Sequence, residues 1–280
     1  KIFEIQNGIT LTIDKTFLFT NCKFRCGDGS AIVTSASAIA FNAASCQFAT
    51  CGNFLWKGVT INPNARIAFQ NCWLKDAETA IHFPAGYSGA NNSLRNNTFE
   101  NNYYGLYLGN PLNTAGAVVG FTYCYNNIFY QTGLDLKGNT YTRSHSGVYL
   151  DIKSMIAFGT DGGFNNQFVN MGYGMYLKKN AHAIVANSSF RFMIDAFPSD
   201  GNDGSGIYAG SATLTVTEVN EKGCNFNNNF HAGVRTSNLT GSNTIKHASF
   251  FGDQRHGIRS VTNNLVCTIN YSNNHFSLRK

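Results

Sequence analysis

The stretch Asn96-Asn97-Thr98-Phe99-Glu100-Asn101-Asn102-Tyr103-Tyr104-Gly105-Leu106-Tyr107-Leu108 contains both of the units that recur along this chain. The first is Asn-x-x-aromatic. It returns with its last position at Phe24, Phe48, Leu74, Phe99, Phe129, Phe168, Phe190, Phe226, Phe250 and Phe276, and most steps are 22 to 26 residues. Asn stands three residues before the anchor at Asn21, Asn71, Asn96, Asn126, Asn165, Asn187 and Asn273. Asn tolerates the left-handed backbone of a sharp turn, and equivalent Asn side chains on stacked coils hydrogen-bond to one another, so the repeat predicts an Asn-lined turn. Strand alternation turns the anchor inward together with the residue two before it. That column reads Cys22, Cys46, Cys72, Asn97, Asn127, Asn166, Ser188, Cys224, Ala248 and Asn274, all small or able to bond within a ladder.

The second unit is Gly followed by apolar, variable, apolar, as in Gly58-Val-Thr-Ile61, Gly105-Leu-Tyr-Leu108, Gly147-Val-Tyr-Leu150 and Gly174-Met-Tyr-Leu177. Ala80-Ile-His-Phe83, Gly206-Ile-Tyr-Ala209, Gly233-Val-Arg-Thr236 and Gly257-Ile-Arg-Ser260 occupy the same place. A third, looser strand such as Ala65-Arg-Ile-Ala-Phe69 or Ala181-His-Ala-Ile-Val185 precedes the next anchor. Three strands and three turns make one coil, and parallel crossovers are right-handed. The expected fold is therefore all-β: a right-handed, single-stranded parallel β-helix of about ten coils, one domain over 1–280, roughly 45 to 50 Å long at about 4.8 Å per coil. Long 3.6-period stretches are missing, which excludes helical bundles. Repeats of propeller length with hairpin turns are missing too. Three longer steps place extra residues at 109–122, 137–146 and 195–222, which are expected to form loops.

Composition agrees with many short strands and tight turns: 43% apolar, 13% charged, 28 Gly and 4 Pro. The net charge of +6 comes from scattered Lys and Arg, so neither a nucleic-acid stripe nor membrane insertion is expected. The start, Lys1-Ile-Phe-Glu-Ile-Gln-Asn-Gly8, lacks the regions of a signal peptide, and neither end carries a polar cap. A fragment of a longer solenoid is expected.

The stretch Trp56-Lys-Gly-Val-Thr-Ile61, continuing through Asn71-Cys-Trp-Leu-Lys-Asp-Ala-Glu-Thr-Ala-Ile81 to Asn97-Thr-Phe-Glu-Asn-Asn-Tyr-Tyr-Gly-Leu-Tyr-Leu108, resembles β-helix regions of large secreted Bacteroidetes proteins. The resemblance covers the whole chain and reports fold and habitat rather than activity. It implies an extracellular or surface location and export by type IX secretion machinery, through a carboxy-terminal sorting domain that is not present here.

Functional candidates are few. The eight cysteines show no zinc spacing, and no metal or cofactor is expected. Cys22, Cys46 and Cys72 read as small packed residues, and a bridge from Cys26 to Cys51 is open in an oxidising setting. The variable residue of the Gly-strand forms an outward column: Thr60, His82, Tyr107, Tyr149, Tyr176, Tyr208, Arg235 and Arg259. Gly133-Leu-Asp-Leu136 competes for the register and would put Asp135 in the column. Tyr107, Tyr149, Tyr176, Tyr208, Arg235 and Arg259 are the candidate ligand-binding residues. Rings would lie on sugar faces, and guanidinium groups would bind carboxylate or sulfate of a polysaccharide or cell-surface glycan. The plainer reading is that tyrosine suits an exposed strand and stacks for stability.

A polysaccharide lyase or hydrolase is the alternative, by analogy of fold. No catalytic residues are assigned, because the acids are dispersed where hydrolysis needs a facing pair. Asp195, Asp200 and Asp203 are the densest acidic group, and Asp253, Arg255 and His256 gather in one turn; both read as ordinary turns. Thr213-Leu-Thr-Val-Thr217 and Thr10-Leu-Thr12 are too isolated for an ice-binding array. The expectation is a non-catalytic extracellular stalk or adhesin-like rod.

Overall fold

The computed structural model describes residues 1–280 apart from 36–37, 111–114, 133–134, 140, 142, 161–162, 195–203, 241, 253–254, 262–267, 273–274 and 278–280. The chain winds through three parallel sheets in turn, and each strand pairs with the strands three before and three after it. The anchor face has 11 strands, from Ile2–Ile5 to His275–Ser277. The Gly face has 10, from Thr10–Ile13 to His256–Val261, and the third face has 10, from Phe17–Thr20 to Thr268–Ser272. This is the expected parallel β-helix.

All ten expected anchors pair in one column, and Phe3 extends it by a coil that no upstream Asn marks. Their rings stack along the axis: Phe24 on Phe48 at 4.6 Å, Phe99 on Phe129 at 4.3 Å, Phe129 on Phe168 at 4.8 Å and Phe168 on Phe190 at 4.7 Å. Each such pair adds about 0.5–1.5 kcal/mol beyond burial. Leu74 interrupts the stack, and there Phe48 stacks on Phe69 of the third face at 5.5 Å. The glycines of the Gly face fit around these rings. A Cβ on Gly147 would strike the Phe168 ring, and one on Gly174 would strike Phe190. The two sequence units therefore depend on each other: the ring of one needs the missing side chain of the other.

Asn21, Asn71, Asn96, Asn126 and Asn187 have positive φ, between 43° and 56°, as the turn reading requires, and Ser45 and His247 take the same conformation. Two ladders run side by side. On the outside, Asn96 Nδ2 donates to Asn71 Oδ1 at 3.1 Å, and Asn126 Nδ2 donates to Asn96 Oδ1 at 3.0 Å. Inside, Asn97 donates to Asn127 and Asn127 to Asn166, each at 3.0 Å. Their side-chain carbonyls also accept the backbone N–H of Cys72, Asn97 and Asn127 one coil earlier. The inward Cys, Asn, Ser and Ala column is buried from Cys22 to Ala248. Asn273, Asn274 and Cys267 lie outside the described residues.

The long steps divide differently from the expectation. Val118–Tyr125 is a strand of the third face, so the first loop ends by residue 117. Ser205–Gly210 and Thr213–Val216 are regular strands, so within the span expected as a loop residues 205–216 are ordinary coil, and 195–203 lie outside the described residues. The Thr- and Gly-rich composition of 205–216 imitates a loop because β-strands on an outward face also accept Thr. The described cysteines Cys22, Cys26, Cys46, Cys51, Cys72, Cys124 and Cys224 are free thiols. Cys26, beside exposed Cys51, is pushed up to about 12, chiefly by burial.

Candidate functional site

The Gly face sets the outward column. Strand pairing aligns Thr60, His82, Tyr107, Tyr149, Tyr176, Tyr208, Arg235 and Arg259 in one file. The competing register is not used, and Ser146–Leu150 supplies Tyr149. Tyr107 stacks on Tyr149 at 4.9 Å and 7°, Tyr149 on Tyr176 at 5.2 Å and 2°, and Tyr176 meets Tyr208 at 4.9 Å and 33°. The rings therefore lie against one another, with their faces occupied along the axis.

A second layer lies beside the file. Tyr104 and Tyr173 pair in register at the residue just before Gly105 and Gly174, with Ser146 between them. Tyr104 packs 5.1 Å from Tyr107, Tyr173 4.8 Å from Tyr176, and His145 5.4 Å from Tyr149. Described residues from the insert between Gln131 and Ser146 close this side. Tyr141 stacks on Tyr103 at 3.6 Å, and Lys137 reaches the buried Asp76 carboxylate at 3.0 Å. Tyr149 is consequently only 6% exposed although its strand position faces outward. The expectation of an open aromatic strip is corrected at Tyr149, against which His145 packs, while Tyr107, Tyr176 and Tyr208 are half-buried.

Electrostatics in this region favour neutral, structural tyrosines. Tyr107 Oη donates to Asp151 Oδ2 at 2.7 Å, and Asp151, 1% exposed, faces Lys178 at 3.5 Å. Lys178 also lies 5.4 Å over the Tyr149 ring. Burial first, then the bond to Asp151, pushes the Tyr107 phenol well above its ordinary value. Burial does the same to Tyr104 and Tyr149. His145 is pushed down to about 3, by burial and then by the Lys178 charge. A phenol that donates to a carboxylate and resists ionisation is a poor proton acceptor.

Beyond Tyr208 the file changes character. Arg235 and Arg259 each donate to the same nitrogen of His231, at 2.9 and 2.7 Å. That nitrogen must accept, so His231 is neutral. Its pKa is pushed down to about 4 by burial, then by Arg235, Arg259, His256 and Arg255. Arg255 and His256 are exposed, and Arg255 lies 4.9 Å over the Phe230 ring. Among the described residues, no ion pair involves Arg255 or Arg259. His231 thus holds two guanidinium groups side by side in a cationic cluster, the geometry that carboxylate or sulfate oxygens fit.

The sequence column identified every member of the file. It missed Tyr104, His145, Tyr173, Asp151, Lys178 and His231, which decide what the file can do. The Tyr-Gly pairs at Tyr104-Gly105 and Tyr173-Gly174 were the available signal. Asp195, Asp200, Asp203 and Asp253 lie outside the described residues. Among the described residues, no group of three or more His, Cys, Asp or Glu is placed to hold a metal ion.

One comparison with known proteins bears on the fold. A family model described as a right handed beta helix region matches residues 2–115. No curated protein gives a significant match. Among solved structures, the chain is similar to the alginate lyase from Paenibacillus sp. str. FPU-7, at 11% identity, 99% of this chain and 92% of that chain, with a TM-score of 0.34. Taken with the three parallel sheets, the chain is a right-handed parallel β-helix solenoid.

Proposed function

We propose that the chain is a non-catalytic extracellular or cell-surface β-helix rod, a stalk or adhesin-like segment, that contacts acidic glycans at the arginine end of its Gly face. The observation that carries this reading is the convergence of Arg235 and Arg259 on His231, with Arg255 and His256 exposed alongside. Tyr107, Tyr149, Tyr176 and Tyr208 act as a stiff aromatic spine that holds this cluster in line, and the half-exposed edges of Tyr107, Tyr176 and Tyr208 offer lateral contacts. The resemblance to secreted Bacteroidetes β-helix regions supports the location and export by type IX secretion through a further domain.

A polysaccharide lyase or hydrolase has weaker support, because the Tyr107–Asp151 pair holds its proton and the paired histidine His231 is pinned between two cations. The test is a glycan array with uronate, sulfated and neutral members, comparing the native chain with R235Q/R259Q. Native binding to acidic members that is weakened about tenfold or more in the variant is expected, since each charge-assisted bond is worth roughly 1.5–3 kcal/mol. Equal binding by both chains, or none by either, removes the proposal.

A further inference from the structure

A second site lies away from the Gly face, where the third face turns into the anchor face. A cleft of about 630 Å³ opens there along the axis, walled on one side by the short hairpin in which Val219 and Lys222 pair backbone to backbone. Lys222 Nζ pins that hairpin to the Gly163 carbonyl at 3.2 Å. Phe164 lines the cleft and is 70% exposed, more than the other exposed phenylalanines Phe17, Phe192, Phe230 and Phe251, which lie between 36% and 50%. Asn165, beside it, has a buried side-chain carbonyl with no hydrogen-bond partner. It departs from the other turn asparagines in this, and it lacks their positive φ.

The rest of the lining is polar and carries both signs of charge. Glu218 and Glu221 come from the hairpin, and His247 sits 3.2 Å from Glu218. Gly223 keeps the floor open, since a Cβ there would strike the His247 carbonyl. An exposed ring flanked by amides and carboxylates matches the chemistry of a sugar unit, whose C–H face packs on the ring while its hydroxyls bond to acceptors. A buried carbonyl without a donor costs free energy that a ligand hydroxyl would recover. Glu218 and Glu221 outnumber the one ammonium of the lining, Lys222, which donates to the Gly163 carbonyl and lies 5.7 Å over the Phe164 ring, so uronates and sulfates are disfavoured while the far face of the ring stays open to a sugar.

We infer that this cleft binds an uncharged pyranose unit of a neutral polysaccharide, through Phe164, Asn165 and Glu221. The site is independent of the arginine cluster and selects the opposite ligand charge. Its test is calorimetric titration of the full chain with neutral gluco-, manno- and xylo-oligosaccharides, in parallel with F164A, N165A and R259Q. Phe164 is exposed, so F164A keeps the fold, which an unchanged melting temperature verifies. Binding of at least one neutral series is expected, about tenfold weaker in F164A, weaker in N165A and unchanged in R259Q. No binding of any series, or equal binding by native and F164A chains, overturns the inference. Loss in R259Q alone would assign neutral-glycan binding to the Gly face instead, and would overturn it as well.

Discussion

Tyr107 shows how little a residue type says until its neighbours are known. An outward tyrosine on a β-strand suggests a ring offered to a ligand. Here the ring is covered by Tyr149 and the hydroxyl is committed to Asp151. The consequence is measurable through pH. Tyr104, Tyr107 and Tyr149 have folded values raised above the unfolded one of about 10. Above that pH the unfolded chain loses protons that the folded chain keeps, so their contribution to stability is complete below about pH 10 and is lost as pH rises further. His145 and His231 have the opposite sign. Lowered to about 3 and about 4, they contribute stability above the unfolded value near 6.5 that is lost as pH falls. A melting-temperature profile is expected to fall on both sides of a neutral plateau. In Y107F the alkaline limb should be shallower, and a limb identical to that of the native chain would contradict the assignment of Tyr107.

At the scale of elements, the two sequence units are coupled through sterics. Gly147 sits where a Cβ would meet the Phe168 ring, so G147A is expected to cost about 1–3 kcal/mol, where the ordinary preference of a strand for Ala over Gly predicts a gain. Chemical denaturation measures it, and a neutral or stabilising effect would show that the Gly–Phe fit is not the reason for the motif. This coupling is also why the fold was legible. Asn-x-x-Phe and Gly-apolar-x-apolar each fix a backbone position, so anchors, inward column and outward file were all readable from residue types and spacing. The inserts were less legible, because 205–216 shares the Thr- and Gly-rich composition of a loop while forming regular strands. The site was legible only as a file of positions. The packing on Tyr149 and Tyr176 comes from His145, which belongs to an insert with no repeat signal, and the convergence on His231 depends on side-chain direction that spacing does not encode.

At the scale of the whole molecule, a parallel solenoid puts equivalent positions about 4.8 Å apart, so a property of one residue becomes a property of a line. The anchor line makes a continuous aromatic core, the inner Asn line satisfies buried backbone groups, and the Gly-face file ends in paired arginines. The net charge of +6 adds a diffuse attraction for polyanions that salt screens within roughly a Debye length. The most direct test follows binding and chain length in one experiment. The protein is incubated with polygalacturonate, alginate and chondroitin sulfate, its retention is measured by affinity electrophoresis, and the polymer is sized afterwards. The expected result is retention on at least one polyanion, loss of retention in R235Q/R259Q, and polymer of unchanged length. Shortened polymer, or a native chain retained on none of the three, would contradict the reading of this protein as a non-catalytic glycan-contacting rod.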